Sequence, residues 1–230
     1  MKLPLIQFWR DTRFLSAPEQ MAVDQALFEQ TLGSGVASAR FYGWSEPATT
    51  VGYFHQFQTG SSLPPYPVRR YTGGGLVEHG EDLTFVITLP RDSAPAHLTG
   101  EERYRWIHEA LAGALVEAEV PVVLESAPSP SATGPCFTNA VTWDLLSTKT
   151  GKKIGGGAQR RSSGAVIHQG SVRLPESLRD PEADWIDSFL SLLATRSEPL
   201  SEKKVEALRA PTMEFLTHRF STESWNRWAS

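Results

Sequence analysis

Two glycine triplets, each with a cation close before it, limit what this chain can fold into more than any other feature of its sequence. Gly73-Gly74-Gly75 follows Arg70 and lies between a strand-like run and a polar segment; Gly155-Gly156-Gly157 follows Lys153 inside a run of strand character. Glycine weakens a sheet through lost packing and backbone entropy. It suits places where bare backbone must lie against a ligand with amide N–H groups turned towards it. A flexible turn explains one triplet as readily. Two in one chain, each behind a positive charge, are hard to explain as turns. Neither has the spacing of a P-loop or of the G-x-G-x-x-G dinucleotide fingerprint. Arg70 adds a fork of donors suited to a phosphate or a carboxylate.

The 230 residues, 40% of them hydrophobic, can fill one sizeable domain, or one domain with a small appendage. A formal net charge of −4, without a long run of Lys and Arg, argues against a nucleic-acid footprint. The N-terminus MKLPLIQFWRDTRF carries charges too early for a signal peptide. No apolar run approaches the roughly 20 residues of a membrane helix. A cytoplasmic protein that is not membrane-bound is therefore expected; a monomer is the expected state. The chain has 1 cysteine, Cys136, so an internal disulfide and a zinc site of several thiolates are excluded. Cys136 is either a buried filler or the reactive group. The 6 histidines show no H-x-x-x-H spacing, and no metal centre is expected.

Periodicity gives mixed α and β. Met21, Val23, Leu27, Phe28 and Leu32 predict a helix over Pro18–Leu32. Thr99 and Glu102 read as a capping box for a second helix bearing Tyr104, Ile107, Leu111 and Leu115 on one face. Strands are expected at Leu5–Trp9, Ala39–Trp44, Leu83–Leu89, Val122–Leu124 and Trp143–Leu146. Ile154–Arg161 and Ala165–Leu174 read as a hairpin closed by Ser162-Ser163-Gly164. Ser126–Pro135 reads as an irregular loop leading into Cys136. From about Asp180 the pattern becomes wholly helical, over Trp185–Leu193, Lys203–Leu208 and Met213–His218. The expectation is an α+β fold: one mixed-sheet domain over residues 1–180, with a helical extension over 181–230 packed on it.

Several segments together resemble the lipoate branch of the biotin/lipoate protein ligase superfamily. They are Arg-Arg-x-Thr-Gly-Gly-Gly-x-Val-x-His at 69–79, Leu83-Thr84-Phe85, Gly-Lys-Lys-Ile-Gly-Gly-Gly-Ala-Gln-x-Arg at 151–161, and His168-Gln169-Gly170-Ser171. Upstream, Met21-Ala22-x-Asp24-x-Ala26-Leu27, Phe41-Tyr42-Gly43-Trp44 and Gly52-Tyr53-Phe54 share the likeness. Cys136-Phe137 followed by Trp143-Asp144-Leu145 is most similar to the cysteine-dependent, LipM-type octanoyltransferases.

The resemblance implies an octanoyl- or lipoyl-transferase with Cys136 and Lys153 as catalytic residues. Octanoyl-acyl carrier protein would be the donor. A lysine of a lipoyl domain, on the glycine cleavage H protein or a dehydrogenase E2 subunit, would be the acceptor. No cofactor is implied for a transferase; ATP and Mg would be required if the chain were a lipoate-protein ligase, and a non-catalytic binder of such partners is a third reading. Arg70, Thr72, Gly73, Gly74, Gly75, His79, Gly155, Gly156, Gly157, Ala158, His168 and Gly170 would surround the substrate. As residues alone, His79 and His168 read as hydrogen-bonded structural histidines. Arg69, Lys152, Arg160 and Arg161 read as surface charges. A free cysteine, with pKa near 8.5, is only a few per cent thiolate at pH 7. An ammonium ~4 Å away, at an effective dielectric of ~20, attracts the thiolate by ~4 kcal/mol before desolvation. Adjacent strand residues point to opposite faces, so only one of Lys152 and Lys153 can serve, and the register favours Lys153. The glycine runs would wall an acyl tunnel and offer N–H donors to the carbonyl oxygen.

Overall fold

A computed structural model describes residues 1–57, 67–127 and 140–227. In chain order the elements are β1 (Ile6–Leu15), α1 (Ala17–Ser34), β2 (Ala37–Trp44), β3 (Ala48–Val51), β4 (Val68–Arg69), β5 (Val77–His79) and β6 (Asp82–Leu89). There follow α2 (Ala94–His97), α3 (Gly100–Glu117), β7 (Val122–Leu124), β8 (Leu145–Ser147), β9 (Lys153–Ser162) and β10 (Ala165–Arg173). The chain continues through α4 (Trp185–Leu193), β11 (Ser197–Pro199), α5 (Glu202–Glu206), α6 (Arg209–Phe215) and α7 (Glu223–Asn226). The expected strands, helices and hairpin all appear, with boundaries shifted by a few residues. No helix among the described residues is long and apolar enough to cross a membrane.

The large sheet runs β11-β1-β2-β6-β10-β9-β8-β7, and a small one runs β4-β3-β5. β1 and β2 are parallel, joined by α1; the pairings from β2 across to β7 are antiparallel. Alternation along β6 sorts the two faces. Leu83, Phe85, Ile87 and Leu89 join Ile107 and Leu111 of α3 and Phe189 and Leu190 of α4 in one core. Val86, with Tyr42 and Trp44 of β2, packs with Met21, Ala22 and Phe28 of α1 on the other face. Both long helices start where local chemistry dictates. Ser16 N–H donates to Glu19 Oε2 at 2.9 Å ahead of α1. At α3, Thr99 N–H donates to Glu102 Oε2 at 2.9 Å, and Glu102 N–H returns to Thr99 Oγ1 at 3.2 Å.

The segment after Asp180 departs from expectation in one respect. It is not wholly helical: β11 is a strand that joins the large sheet, with Ile6 opposite Ser197 and Phe8 opposite Pro199. Three residues ending in proline carry no alternation to read, and only the free edge of β1 makes them a strand. The same segment sends Trp185, Ile186, Phe189, Leu190 and Leu193 into the main core.

Candidate active site

One row of residues crosses the α1 face of the sheet. Tyr42 stands opposite Thr84, Thr84 opposite Ser171, and Ser171 opposite Gly156. Three inter-strand steps of about 4.8 Å make this row ~14 Å long. A pocket lies over it, floored by these residues and roofed by Met21 of α1, Arg70, and Val77 and His79 of β5. Trp44 lines the β2 end, its ring stacked on His79 at 4.0 Å and its Nε1–H donating to Thr84 Oγ1 at 2.9 Å. Lys153 and Gly156 line the β9 end. A second, more open cavity shares Gly157 and Ala158 with the first and is bordered by Gly73, Gly74, Tyr104 and Val141–Trp143.

Between the two lies the most charged feature of the site. Lys153 Nζ is 2.7 Å from Asp144 Oδ2, and the side chains are 4% and 0% exposed. Val141 N–H donates to Asp144 Oδ2 at 2.7 Å, and the Tyr104 hydroxyl donates to Oδ1 at 2.5 Å. That hydroxyl also accepts the Gly157 N–H at 2.9 Å. Asp144 reaches inward because Trp143 before it takes a left-handed backbone, with φ of 71°. This conformation is costly for a bulky residue. Trp143 N–H donates to Glu125 O at 2.8 Å, and its carbonyl accepts His108 Nδ1–H at 2.7 Å, which holds the turn.

The glycines of β9 are explained by these side chains. A Cβ on Gly156 would sit 2.8 Å from Lys153 Nζ and from Asp144 Oδ1, and one on Gly157 would sit 2.5 Å from His168 Nε2. Gly170 is similarly closed, with the Phe85 ring 2.2 Å from an added Cβ. Gly155 meets only ordinary contacts, and nothing in the structure requires glycine there. Space for the protein's own side chains, as well as for a ligand, therefore selects glycine in this strand.

Arg70 orders the other glycine run. Its Nη2 donates to Gly73 O at 3.0 Å and Gly75 O at 2.8 Å, and Nη1 donates to Thr50 Oγ1 at 2.8 Å. The Thr50 hydroxyl and His79 Nε2 are hydrogen-bonded at 2.8 Å, and His79 Nδ1–H donates to Asp82 Oδ2 at 2.8 Å. Burial pushes Asp82 up, but His79 and the hydrogen bonds from His79, Ser171 and Gly80 outweigh it and hold the carboxyl below its usual range. Thr72 is buried beneath the loop, its hydroxyl donating to Gln169 Oε1 at 2.7 Å. Gln169 Nε2 in turn donates to Asp24 Oδ2 at 2.7 Å, and Asp24 pairs with the buried Arg40 at 2.7 Å.

The catalytic-domain model of the lipoyl protein ligase A/B family matches residues 16–218. The chain belongs to that family. Curated relatives include octanoyltransferase LipM of Symbiobacterium thermophilum, 30% identical over 84% of this chain and 78% of that one. Octanoyltransferase LipM of Moorella thermoacetica is 33% identical over 72% of this chain and 65% of its own. Among solved structures, a T. acidophilum protein with bound lipoic acid superposes with a TM-score of 0.67 at 19% identity, covering 99% of this chain and 100% of that one. At that identity the likeness speaks for the fold.

Within this family member the structure brings together Arg70, His79, Lys153, Gly156, Gly157, Ala158 and Gly170 around the pocket, with Gly73 and Gly74 at the outer cavity. Thr72 and Gly75 act on the loop itself, through Gln169 and Arg70. Lys152 is exposed while Lys153 faces the pocket. Cys136 lies outside the described residues.

Two expectations are corrected. His168 is fully buried, yet neither ring nitrogen has a hydrogen-bond partner among the described residues, so no hydrogen bond there accounts for its burial. It stacks on Phe85 at 5.7 Å beside Tyr104 and His108, and burial, with His108 and Arg103 nearby, drives its pKa well below the usual value. Arg69 is not a surface charge but 0% exposed, donating to the carbonyls of Gly52, Tyr53, His55 and Trp225 at 2.7–3.2 Å. Of the other cations, Arg161 is exposed, whereas Arg160 is half-buried between the Tyr53 and Tyr71 rings at 4.0 and 4.1 Å. Sequence reasoning missed Asp144 and Tyr104 as site residues. A single carboxylate inside the apolar run Trp143-Asp144-Leu145-Leu146 was the available signal.

Proposed function

We propose that the chain is an octanoyltransferase that moves the acyl group from a carrier-protein thioester through Cys136 to the ε-amine of a lipoyl-domain lysine. The observation that carries this reading is the buried Lys153–Asp144 pair at the β9 end of the pocket, together with curated relatives of 30–33% identity named as octanoyltransferases. The pocket takes the acyl chain along the row from Gly156 to Tyr42, with the thioester carbonyl at the Lys153 end.

In the first half-reaction the Cys136 thiolate attacks the thioester carbonyl. The C–S bond to Cys136 forms, and the carrier leaves as a thiolate that takes up a proton. In the second, the acceptor amine attacks the Cys136 thioester, the amide C–N bond forms, and the Cys136 thiolate is released with loss of the amine proton to a base or water. Both steps place negative charge on the carbonyl oxygen. An ion pair with a buried carboxylate is made by the ammonium form of Lys153, which suits it to stabilise that oxygen and not to act as a neutral base. No ATP enters either half. A lipoate-protein ligase on the same fold would instead need ATP and Mg to activate the free acid.

The test is transfer from octanoyl-carrier protein to a lipoyl domain, followed by mass with and without ATP. Transfer without ATP is expected. Lys153→Ala should lose on the order of 10²-fold in rate, the cost of removing a preorganised donor to the oxyanion, and Lys152→Ala should be near wild type. Equal losses from the two, or an absolute need for ATP, would remove this reading.

A further inference from the structure

We infer that Tyr104 is a positioning residue for the acyl transfer, setting the Lys153 ammonium through Asp144 and holding the Gly157 backbone in the same grip. The inference rests on the transferase reading above for its chemistry, but its geometry stands alone. Tyr104 belongs to α3, on the face of the sheet opposite α1, yet its hydroxyl extends to the edge of β9 just where β8 leaves it. β8 pairs with β9 as far as Leu145 opposite Gly155. Two residues on, the Gly157 N–H, which β8 does not reach, donates to the Tyr104 oxygen at 2.9 Å. The hydroxyl proton goes to Asp144 Oδ1 at 2.5 Å. One oxygen thus joins the strand that walls the pocket to the carboxylate that holds the lysine.

Two consequences follow for the chemistry. The Gly157 N–H is occupied, so this amide of the glycine run is not offered to the thioester carbonyl, and stabilisation there falls more heavily on Lys153. Asp144 has both oxygens engaged: Oδ1 by Tyr104, and Oδ2 by Lys153 and the Val141 N–H. Without the Tyr104 hydroxyl the carboxylate can rotate about its Cβ–Cγ bond, and the ammonium paired to it moves as well. The ring itself is fixed independently, packed on His108 at 3.9 Å. Removing the hydroxyl alone therefore leaves its support intact.

The experiment uses Tyr104→Phe and Asp144→Asn beside the wild type, each checked for folding by thermal unfolding. Two quantities are read. The first is acetylation of Lys153 by a small amine-reactive ester, measured by peptide mass against exposed Lys152 in the same molecule. It needs no enzymatic activity. Labelling of Lys153 relative to Lys152 is expected to rise several-fold in both variants. The second is octanoyl transfer, in which kcat is expected to fall by up to about 10²-fold, the cost of a catalytic group displaced by about 1 Å, with KM for the donor unchanged. In a Lys153→Ala background, Tyr104→Phe should cost little more, because the two act as one unit. Unchanged Lys153 labelling in folded Tyr104→Phe overturns the inference, as does full additivity with Lys153→Ala. A wild type that transfers no octanoyl group removes the transferase reading, and the labelling comparison then still decides whether Tyr104 sets Lys153.

Discussion

The Lys153 ammonium sits 2.7 Å from Asp144 Oδ2, with the two side chains only 4% and 0% exposed. A pair so buried contributes little net stability, since desolvation offsets the attraction, but breaking it from one side leaves a buried charge without compensation. Asp144→Ala is expected to destabilise the fold by about 3–5 kcal/mol. Replacing both partners together, as Lys153→Met with Asp144→Leu, should cost clearly less than the single Asp144→Ala. Urea unfolding of the three proteins measures this. A double variant as unstable as the single one would show that the pair is not the reason for the loss.

The glycine run behind Arg70 is expected to respond unevenly to substitution. Gly74 has φ of +87°, and an added Cβ would sit 3.2 Å from Arg70 Nη2, whereas a Cβ on Gly73 meets nothing within 4 Å. Gly74→Ala should therefore cost about 1–3 kcal/mol of stability. Gly73→Ala should leave stability unchanged or raise it by up to about 1 kcal/mol, by restricting the unfolded chain. Gly73→Leu should fold and slow acyl transfer, because its side chain enters the outer cavity. Thermal unfolding paired with a transfer rate per folded molecule separates the effects; equal stability losses at 73 and 74 would refute the assignment.

Acid should weaken the fold through His168, which lies behind Gly157, and His108, whose ring meets it edge-on at 5.4 Å. Burial lowers His108 from 6.5 to about 4, and His168 is lowered well below 6.5 in the same way. A base whose folded pKa is depressed binds its proton in the unfolded state first. Stability is thus fully present above pH 6.5 and is lost as pH falls towards the folded value. For His108 the linkage amounts to about 2 kcal/mol between pH 7 and pH 5. His168→Leu, which removes a ring with no hydrogen-bond partner among the described residues, should flatten the pH dependence of the unfolding free energy. An equally steep dependence in that variant would contradict the assignment of a neutral buried imidazole.

How much of this was legible beforehand divides along physical lines. Features set by neighbours in sequence read well. The Thr99–Glu102 capping box, the Ser162-Ser163-Gly164 turn and the alternation in β6 each need only a few residues to specify them. Strand alternation puts Lys152 and Lys153 on opposite faces, and the register of the glycine run behind them picks Lys153 as the inward one. Features set by distant partners did not read. Tyr104 lies on the apolar stripe of α3, and only the fold shows that its hydroxyl passes beyond the core to Asp144, 40 residues later. Arg69 is indistinguishable from a surface cation until Gly52, Tyr53, His55 and Trp225 converge on it. β11 exists because the edge of β1 accepts it. The glycine run of β9 stands out in the sequence, but part of its cause, room for the Lys153–Asp144 pair and for His168, lies in side chains that only the fold brings to it.

In the proposed mechanism this chain carries the acyl group itself, on Cys136, without ATP. Intact-mass measurement after mixing the protein with octanoyl-carrier protein alone tests it most directly. One octanoyl group is expected on the wild type, removed by hydroxylamine as a thioester is and absent from Cys136→Ala. Adding a lipoyl domain should return the protein to its starting mass while the domain gains the acyl group. A wild type that stays unmodified, or a Cys136→Ala variant that still transfers the acyl group at the wild-type rate, would contradict it.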